Sequence, residues 1–491
     1  MKTDTIAAIA TAMSDSGIGI IRVSGEEAIQ IVNKIYRTKS GKENLLNVAS
    51  HTINYGYIIE KTLSADEDIF EGGHVIDEVM VSVMKSPNSY TTEDTVEINC
   101  HGGIFMMNRI LETVIKSGAR IAEPGEFTKR AFLNGRIDLS KAEAVIDIIH
   151  SKNQFALKNS VNQLKGSISN TISELRNGLI YEIAFIESAL DDPEHISLEG
   201  YKENLSEKTI DIILRLKKLL DSADNGKILK EGINTVIVGK PNAGKSSLLN
   251  LLVGEEKAIV TDVAGTTRDA LEETVKVQGI NLNIIDTAGI RKTEDIVEKI
   301  GVERAKKYAS DADLIVYVVD ASVPLDESDY DIIRMILDKK FVILLNKTDL
   351  DEVVTEEFLT DEIQKMIDGF SPDEYNDISH CNKIENVYII KTSTKENKGI
   401  DLLEQAIKDM FFKGEISFND EIFITNMRHK EAILNSYESM LQVKKSLEDD
   451  MPEDFYSIDL MSAYAALGTI IGEEVGEDLV NEIFSKFCMG K

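Results

Sequence analysis

The segment at 239–247 reads GKPNAGKSS and carries the residue types that hold a phosphate chain. Its spacing, G-x-x-x-x-G-K-S, lets backbone N–H groups curl around phosphate oxygens, with the positive N-terminus of a following helix behind them. Lys245 then reaches the β- and γ-phosphates and Ser246 offers its hydroxyl to Mg2+, while Asn242, Ala243, Gly244 and Ser247 complete the wrap. Four further blocks follow in order. GTTRD (265–269) places Thr266 and Thr267 where a switch loop closes over Mg2+ and the γ-phosphate, with Thr261, Asp262, Val263, Ala264 and Gly265 leading into it. DTAG (286–289) ends a strand. Asp286 there faces the magnesium's water shell, the Gly289 N–H faces the γ-phosphate, and Thr287 and Ala288 lie between them. NKTD (346–349: Asn346, Lys347, Thr348, Asp349) brings a carboxylate that accepts from the guanine N1–H and exocyclic amine, a pair that adenine lacks. Ser393 and Thr394 fit the remaining base-contact loop. Five elements in this order point to a GTP-selective hydrolase of the translation-factor-like type.

One expected group is missing. Ile290 follows DTAG where Ras-like proteins carry the glutamine that orients water. Hydrolysis must therefore use another device. The residues alone leave Glu298 and Arg268 open between that role and ordinary surface charge.

These loops need strands to present them. From 232 onward, short apolar runs alternate with helical patterns: TVIVG (235–239), LNIID (282–286), LIVYVVD (314–320), FVILLN (341–346) and VYII (387–390). That texture predicts a mostly parallel sheet with crossover helices. Upstream, β-rich runs stand at 17–25, 74–84 and 95–103, and a helix with a glycine stop at 105–118. Apolar residues at 161, 164, 168, 172, 175, 179, 183, 186 and 190 form one stripe of a long helix, and a second helical run holds Ile210, Ile213, Leu214, Leu216, Leu219 and Leu220. The pattern is helical again from about 414 to the end.

Composition narrows the class. The 491 residues suggest about three domains. Hydrophobic residues at 43% and charged residues at 28% supply several cores and exclude disorder as the main state. Apolar runs such as 314–319 fall far short of the ~20 residues a spanning helix needs, so no membrane is expected. The patch at 6–10 is too short and too weakly charged for a secretory signal. Three widely spaced cysteines (Cys100, Cys381, Cys488) fit a reducing compartment, and the cytoplasm is the expected location. The net charge of −31 works against bulk capture of nucleic acid by this chain alone. It also argues against a ribosome-assembly GTPase with a basic RNA-binding module. A GTPase domain that merely regulates a second enzymatic domain stays open.

A family resemblance enters with three blocks outside the nucleotide motifs. They are IGIIRVSG within 17–25, EPGEFTKRAFLNGRIDLSKAEAVIDII (123–149) and the terminal CMGK. With GKPNAGKSSLLN and IVTDVAGTTRD, they make the chain resemble the MnmE (TrmE) family of tRNA-modification GTPases over essentially its whole length. The resemblance implies a multidomain α/β and α+β protein. An N-terminal α+β tetrahydrofolate-binding and dimerisation domain would occupy 1–120. A discontinuous helical domain would be built from 121–231 and 414–491, with a Ras-like P-loop GTPase domain (232–413) inserted in it. The implied partner is an MnmG (GidA)-type flavoprotein carrying FAD and using NADH. The pair would add an aminomethyl or carboxymethylaminomethyl group to C5 of the wobble uridine (position 34) of certain tRNAs. The implied one-carbon source is a 5-formyl- or 5,10-methylene-tetrahydrofolate.

The resemblance also assigns residues. Asn242, Thr261, Val263 and Thr266 are implied to hold K+, which supplies the charge of an arginine finger, and Ser246 and Thr267 to hold Mg2+. Glu298 is implied to orient the attacking water. Two GTPase domains of a homodimer are implied to meet across their nucleotide faces. Arg22, Glu97, Arg136 and Lys491 are the implied folate contacts: the carboxylate suits the pterin edge and the cations suit the folate glutamate. Cys488 stands near Lys486 and Lys491, where cations favour thiolate, and it matches a family position of functional weight. Cys100 and Cys381 read as structural or incidental, and His101, beside Gly102 and Gly103, reads as a turn histidine or as lining the folate region.

Overall fold

The computed structural model describes residues 4–42, 44–60, 74–192, 194–195, 200–255, 273–277, 280–285, 312–337, 339–368, 387–411, 423–488 and 490. They form two compact units. One holds 1–150, 160–213 and 435–491; the other holds 151–159 and 214–434.

The first unit opens with β1 (Ile6–Ile9), β2 (Ser16–Ser24), α1 (Ala28–Ile35), β3 (Tyr36–Thr38), β4 (Thr52–Glu60), β5 (His74–Met84), β6 (Thr95–Gly102), α2 (Ile104–Lys116) and β7 (Arg120–Ile121). The strands make one sheet in the order β3-β4-β5-β6-β2-β1-β7. It is antiparallel throughout except for the β1–β7 pair. Alternation decides the faces. Ile21, Val23, Val81, Val96 and Ile98 form a core with Ile31 and Val32 of α1 and Met107, Ile110 and Val114 of α2. The intervening positions, Arg22 and Glu97 among them, are only partly covered. The β-runs read at 17–25, 74–84 and 95–103 and the helix at 105–118 thus match β2, β5, β6 and α2 to within two residues.

The chain then runs through α3 (Glu126–Leu133), α4 (Leu139–His150), α5 (Gln154–Leu164), α6 (Ser167–Asp191) and α7 (Tyr201–Glu231). The single stripe expected over 161–190 is broken: Gly166 takes φ +101° and caps α6, so 161 and 164 lie on α5. Ile168, Ile172, Leu175, Leu179, Ile183 and Ile186 do form one buried stripe, whereas Leu190 is 41% exposed. On α7 the buried residues include Leu205, Ile212, Leu216, Leu219 and Ala223, while Ile210 and Leu214 are exposed.

The second unit carries β8 (Ile233–Val238), α8 (Lys245–Glu255), β9 (Glu273–Val277), β10 (Ile280–Ile284), β11 (Leu314–Asp320), α9 (Glu327–Ile336), β12 (Phe341–Asn346), α10 (Glu356–Asp368), β13 (Tyr388–Lys391) and α11 (Ile400–Phe411). The sheet order is β13-β12-β11-β8-β10-β9. Its pairs are parallel except β9–β10. Ile237, Val316, Val318 and Leu344 face α8 and α11 through Leu248, Leu249, Leu403 and Ile407. Val236, Ile315, Tyr317 and Ile343 face α9 and α10 through Ile333, Ile336, Leu359 and Ile363. Burial on both faces explains the unbroken apolar runs of these strands, and the loops leaving their C-terminal ends are where such sheets bind ligands.

The chain closes with α12 (Met427–Glu448), α13 (Glu453–Ile471) and α14 (Glu477–Ser485). In the first unit α13 packs along α6. Val480, Phe484 and Phe487 fill a core with Ala131, Ile137, Leu139 and Ala142. No described helix is long and apolar enough to cross a membrane.

Candidate functional site

The phosphate loop leaves β8 and returns as α8, with Lys245 as the first helical residue. Three of its residues take positive φ: Gly239 (+149°), Asn242 (+63°) and Gly244 (+108°). Asparagine tolerates that region better than other non-glycine residues. At Gly244 the need for glycine is doubly set, because a Cβ there would stand 2.1 Å from Asn346 Nδ2.

Asn346 is the pivot of the site. It ends β12, and only 1% of its surface is exposed. Its Nδ2 donates to the Ala243 carbonyl at 2.8 Å, and its Oδ1 accepts from the Thr394 N–H at 3.1 Å. One buried amide therefore stitches the phosphate loop to the loop after β13. Asp349 accepts from the Ser393 hydroxyl at 2.9 Å and has Lys395 Nζ 3.7 Å away. The Ser393 hydrogen bond holds its carboxyl below the usual aspartate range. It thus stands as an ionised acceptor, as a guanine edge with two donors requires. Lys347 takes φ +66° and pairs with Asp320 Oδ2 at the end of β11 (2.6 Å). Thr348 donates to the Thr392 carbonyl at 3.0 Å.

Lys245 Nζ donates to the carbonyls of Gly239 and Lys240, each at 2.7 Å. Burial pulls its pKa below the usual lysine value, and an adjacent phosphate would favour the charged form again. Ser246 and Ser247 stand on the first turn of α8. A hydroxyl directly after the phosphate lysine suits Mg2+, a hard cation. Of the four implied K+ ligands, Asn242 is the one among the described residues.

Arg22 and Glu97 are directly opposed on β2 and β6. Arg22 Nε lies 2.8 Å from Glu97 Oε1, and Arg22 Nη1 donates to the Gly490 carbonyl at 2.9 Å. Tyr90 stands against two guanidinium groups, with its ring centre 4.6 Å from that of Arg136 and 5.4 Å from that of Arg22. Phe127 is 5.7 Å from Arg22. The cluster combines two cations, one carboxylate and an aromatic face, which suits a flat, anionic ligand. Gly490 takes φ +87°, and a Cβ on it would meet the Ile9 carbonyl at 2.5 Å, so the tail lies tight against β1. Exposed Cys488 accepts from the Gly125 N–H through its carbonyl at 3.4 Å. Tyr90 and Phe127 were not singled out from sequence; an aromatic within a polar loop (SPNSYTTED) is the one signal Tyr90 offered.

The 123–149 block builds scaffold around this cluster. Arg130 bonds Asp4 (2.8 Å), Glu126 (3.0 Å) and Glu93 (3.2 Å), and Arg120 joins Glu126 at 2.7 Å. Burial raises the Glu126 pKa, but hydrogen bonds from Arg120, the Glu123 N–H and Arg130 outweigh it and leave the net shift downward. Cys100 is buried, and burial pushes its thiol up to about 11, as suits a structural residue. His101 donates its backbone N–H to Asp77 at 2.9 Å, with its Nδ1 2.7 Å from the same carboxylate. Thr261, Asp262, Val263, Ala264, Gly265, Thr266, Thr267, Arg268, Asp286, Thr287, Ala288, Gly289, Glu298, Cys381 and Lys491 lie outside the described residues.

Two family models match the chain. Residues 139–488 match the MnmE helical domain, and residues 5–136 match the GTP-binding protein TrmE N-terminus. The chain belongs to the MnmE family. Over the full length of both chains it is 55% identical to the tRNA modification GTPase MnmE of Lachnoclostridium phytofermentans. It is 48% identical to that of Acetivibrio thermocellus over 100% of each chain, and 47% identical to that of Clostridioides difficile over 99% of each. The enzyme class read from the five motifs, a GTPase, is the class of the MnmE family.

Proposed function

We propose that this chain hydrolyses GTP to drive modification of the wobble uridine of tRNA. The observation that carries the GTP half is Asn346, bonded to both Ala243 and Thr394 while Asp349 stands ionised beside Ser393. That arrangement ties a phosphate loop to a guanine-selective carboxylate. Full-length relatives named as tRNA modification GTPases support the tRNA half.

In this reading Ser246 and Thr267 hold Mg2+, and Asn242, Thr261, Val263 and Thr266 hold K+. Glu298 orients water in place of the glutamine replaced by Ile290. Arg22, Glu97, Arg136 and Lys491 hold a 5-formyl- or 5,10-methylene-tetrahydrofolate, with Cys488 acting beside it. The division is 1–120 folate-binding and dimerisation, 121–231 plus 414–491 helical, and 232–413 GTPase. The chain works as a cytoplasmic homodimer with an MnmG-type flavoprotein that brings FAD and uses NADH, and the product carries the new group at C5 of position 34. Clustering of Arg22, Glu97 and Arg136 around Tyr90 and Gly490 supports the folate part.

Turnover assays on the full-length chain test the reading. GTP is hydrolysed and ATP is not, K+ accelerates the reaction over Na+, and Glu298→Ala removes most of the rate. Equal turnover of ATP would refute guanine selection, and indifference to K+ would refute the cation role.

A further inference from the structure

The phosphate loop contains a second lysine that none of its motif roles uses. Lys240 Nζ lies 2.9 Å from Asp326 Oδ2 and 2.6 Å from Asp329 Oδ2. These carboxylates form the capping box of α9: Asp326 accepts from the N–H groups of Ser328 and Asp329, and Asp329 accepts from the Asp326 N–H. Asp329 is 1% exposed and also accepts from the hydroxyl of Tyr317, a wholly buried residue of β11, at 2.8 Å. Burial and the neighbouring Asp329 push the Tyr317 phenol far up, so it remains a donor. At its other end, the Lys240 carbonyl accepts from Lys245 Nζ at 2.7 Å and from the Ala243 N–H at 3.3 Å.

One residue is thus pinned by its side chain to a nearly dry carboxylate on α9 while its carbonyl holds the amine that meets phosphate. A pair that is largely desolvated returns little net stability, so its consequence is positional. We propose that Lys240 is a positioning residue, a clasp to α9 that holds the phosphate loop in the curvature that receives GDP and GTP. The proposal rests on the GTP reading above. The clasp acts alike on the ground state and the transition state, so its loss weakens binding without slowing chemistry.

Full-length Lys240→Met and Lys240→Arg are compared with the unchanged chain by GDP titration and steady-state GTP hydrolysis. Lys240→Met raises the GDP Kd and the GTP KM about tenfold with kcat within about twofold, and Lys240→Arg, which still reaches both carboxylates, stays within about threefold of the parent. Should Lys240→Met fail to fold, Tyr317→Phe removes only the hydroxyl behind Asp329 and raises KM about threefold at constant kcat. An unchanged KM in the folded variants overturns the clasp. So does a fall of kcat and thermal stability together without rescue by arginine. If the unchanged chain binds no GDP, the nucleotide reading itself fails; if it binds and Lys240→Met binds equally, only the clasp fails.

Discussion

Replacing Asn346 by alanine should disable the nucleotide cradle while leaving its sheet intact. The side chain bonds two backbone groups, the Ala243 carbonyl and the Thr394 N–H, beside longer contacts with the Thr394 and Thr392 hydroxyls. Truncation leaves both backbone groups without that partner, in a place where 1% of the residue was exposed. Each orphaned group costs about 1–3 kcal/mol. Water entering the space left by the amide offsets part of this, which leaves about 2–4 kcal/mol. Nucleotide binding must then supply that free energy to bring the two loops together. At about 1.4 kcal/mol per tenfold, GDP affinity falls roughly 30- to 700-fold. Thr394→Ala is the internal control. It deletes only the long 3.4 Å contact from Asn346 Nδ2 and keeps the backbone N–H, so its loss stays below about fivefold. The assay is a titration with a fluorescent GDP analogue, with folding followed by circular dichroism. A folded Asn346→Ala chain within threefold of the parent would refute the stitching argument, and so would equal losses in the two variants.

Other consequences follow from the first unit. Glu126 has a folded-state pKa below its ordinary 4.5, so its contribution is present at neutral pH and is lost as pH falls through the lower folded value. Glu126→Gln should therefore flatten the acid limb of a thermal-stability profile, and an unchanged limb would contradict the network's role. Gly490→Ala forces a Cβ onto the Ile9 carbonyl at 2.5 Å and onto a φ of +87°. It should displace the tail from Arg22 and weaken binding of 5-formyl-tetrahydrofolate about tenfold or more, with GTP hydrolysis unchanged. Arg22→Ala should weaken the same folate binding comparably, because it removes the cation and the partner of Glu97 together.

The sheet of the second unit was legible because strands buried on both faces have to be apolar throughout. The loops were legible because phosphate and guanine chemistry tolerates few residue types. Asn346 shows the limit. Its place in NKTD was plain, but its bonds reach Ala243, 103 residues away, and such a pairing leaves no trace in local spacing. Arg22 to Gly490 spans 468 residues and was equally hidden. The break at Gly166 leaves no mark in the apolar pattern, because its steps continue in phase from α5 across the left-handed residue that caps α6. The ion cluster that Asp4 and Arg120 form with the largely buried Glu93, Glu126 and Arg130 leaves no mark in the sequence, since charged residues read as surface until their partners are known.

Loss of the phosphate lysine tests most directly whether this nucleotide site is required for tRNA modification. Cells lacking the chain are complemented with the parent sequence or with Lys245→Ala, and their tRNA nucleosides are measured by mass spectrometry. The predicted result is that C5-aminomethyl-type wobble uridines vanish without the chain, return with the parent and stay absent with Lys245→Ala. Full restoration by Lys245→Ala, or unchanged nucleosides in cells without the chain, would contradict it.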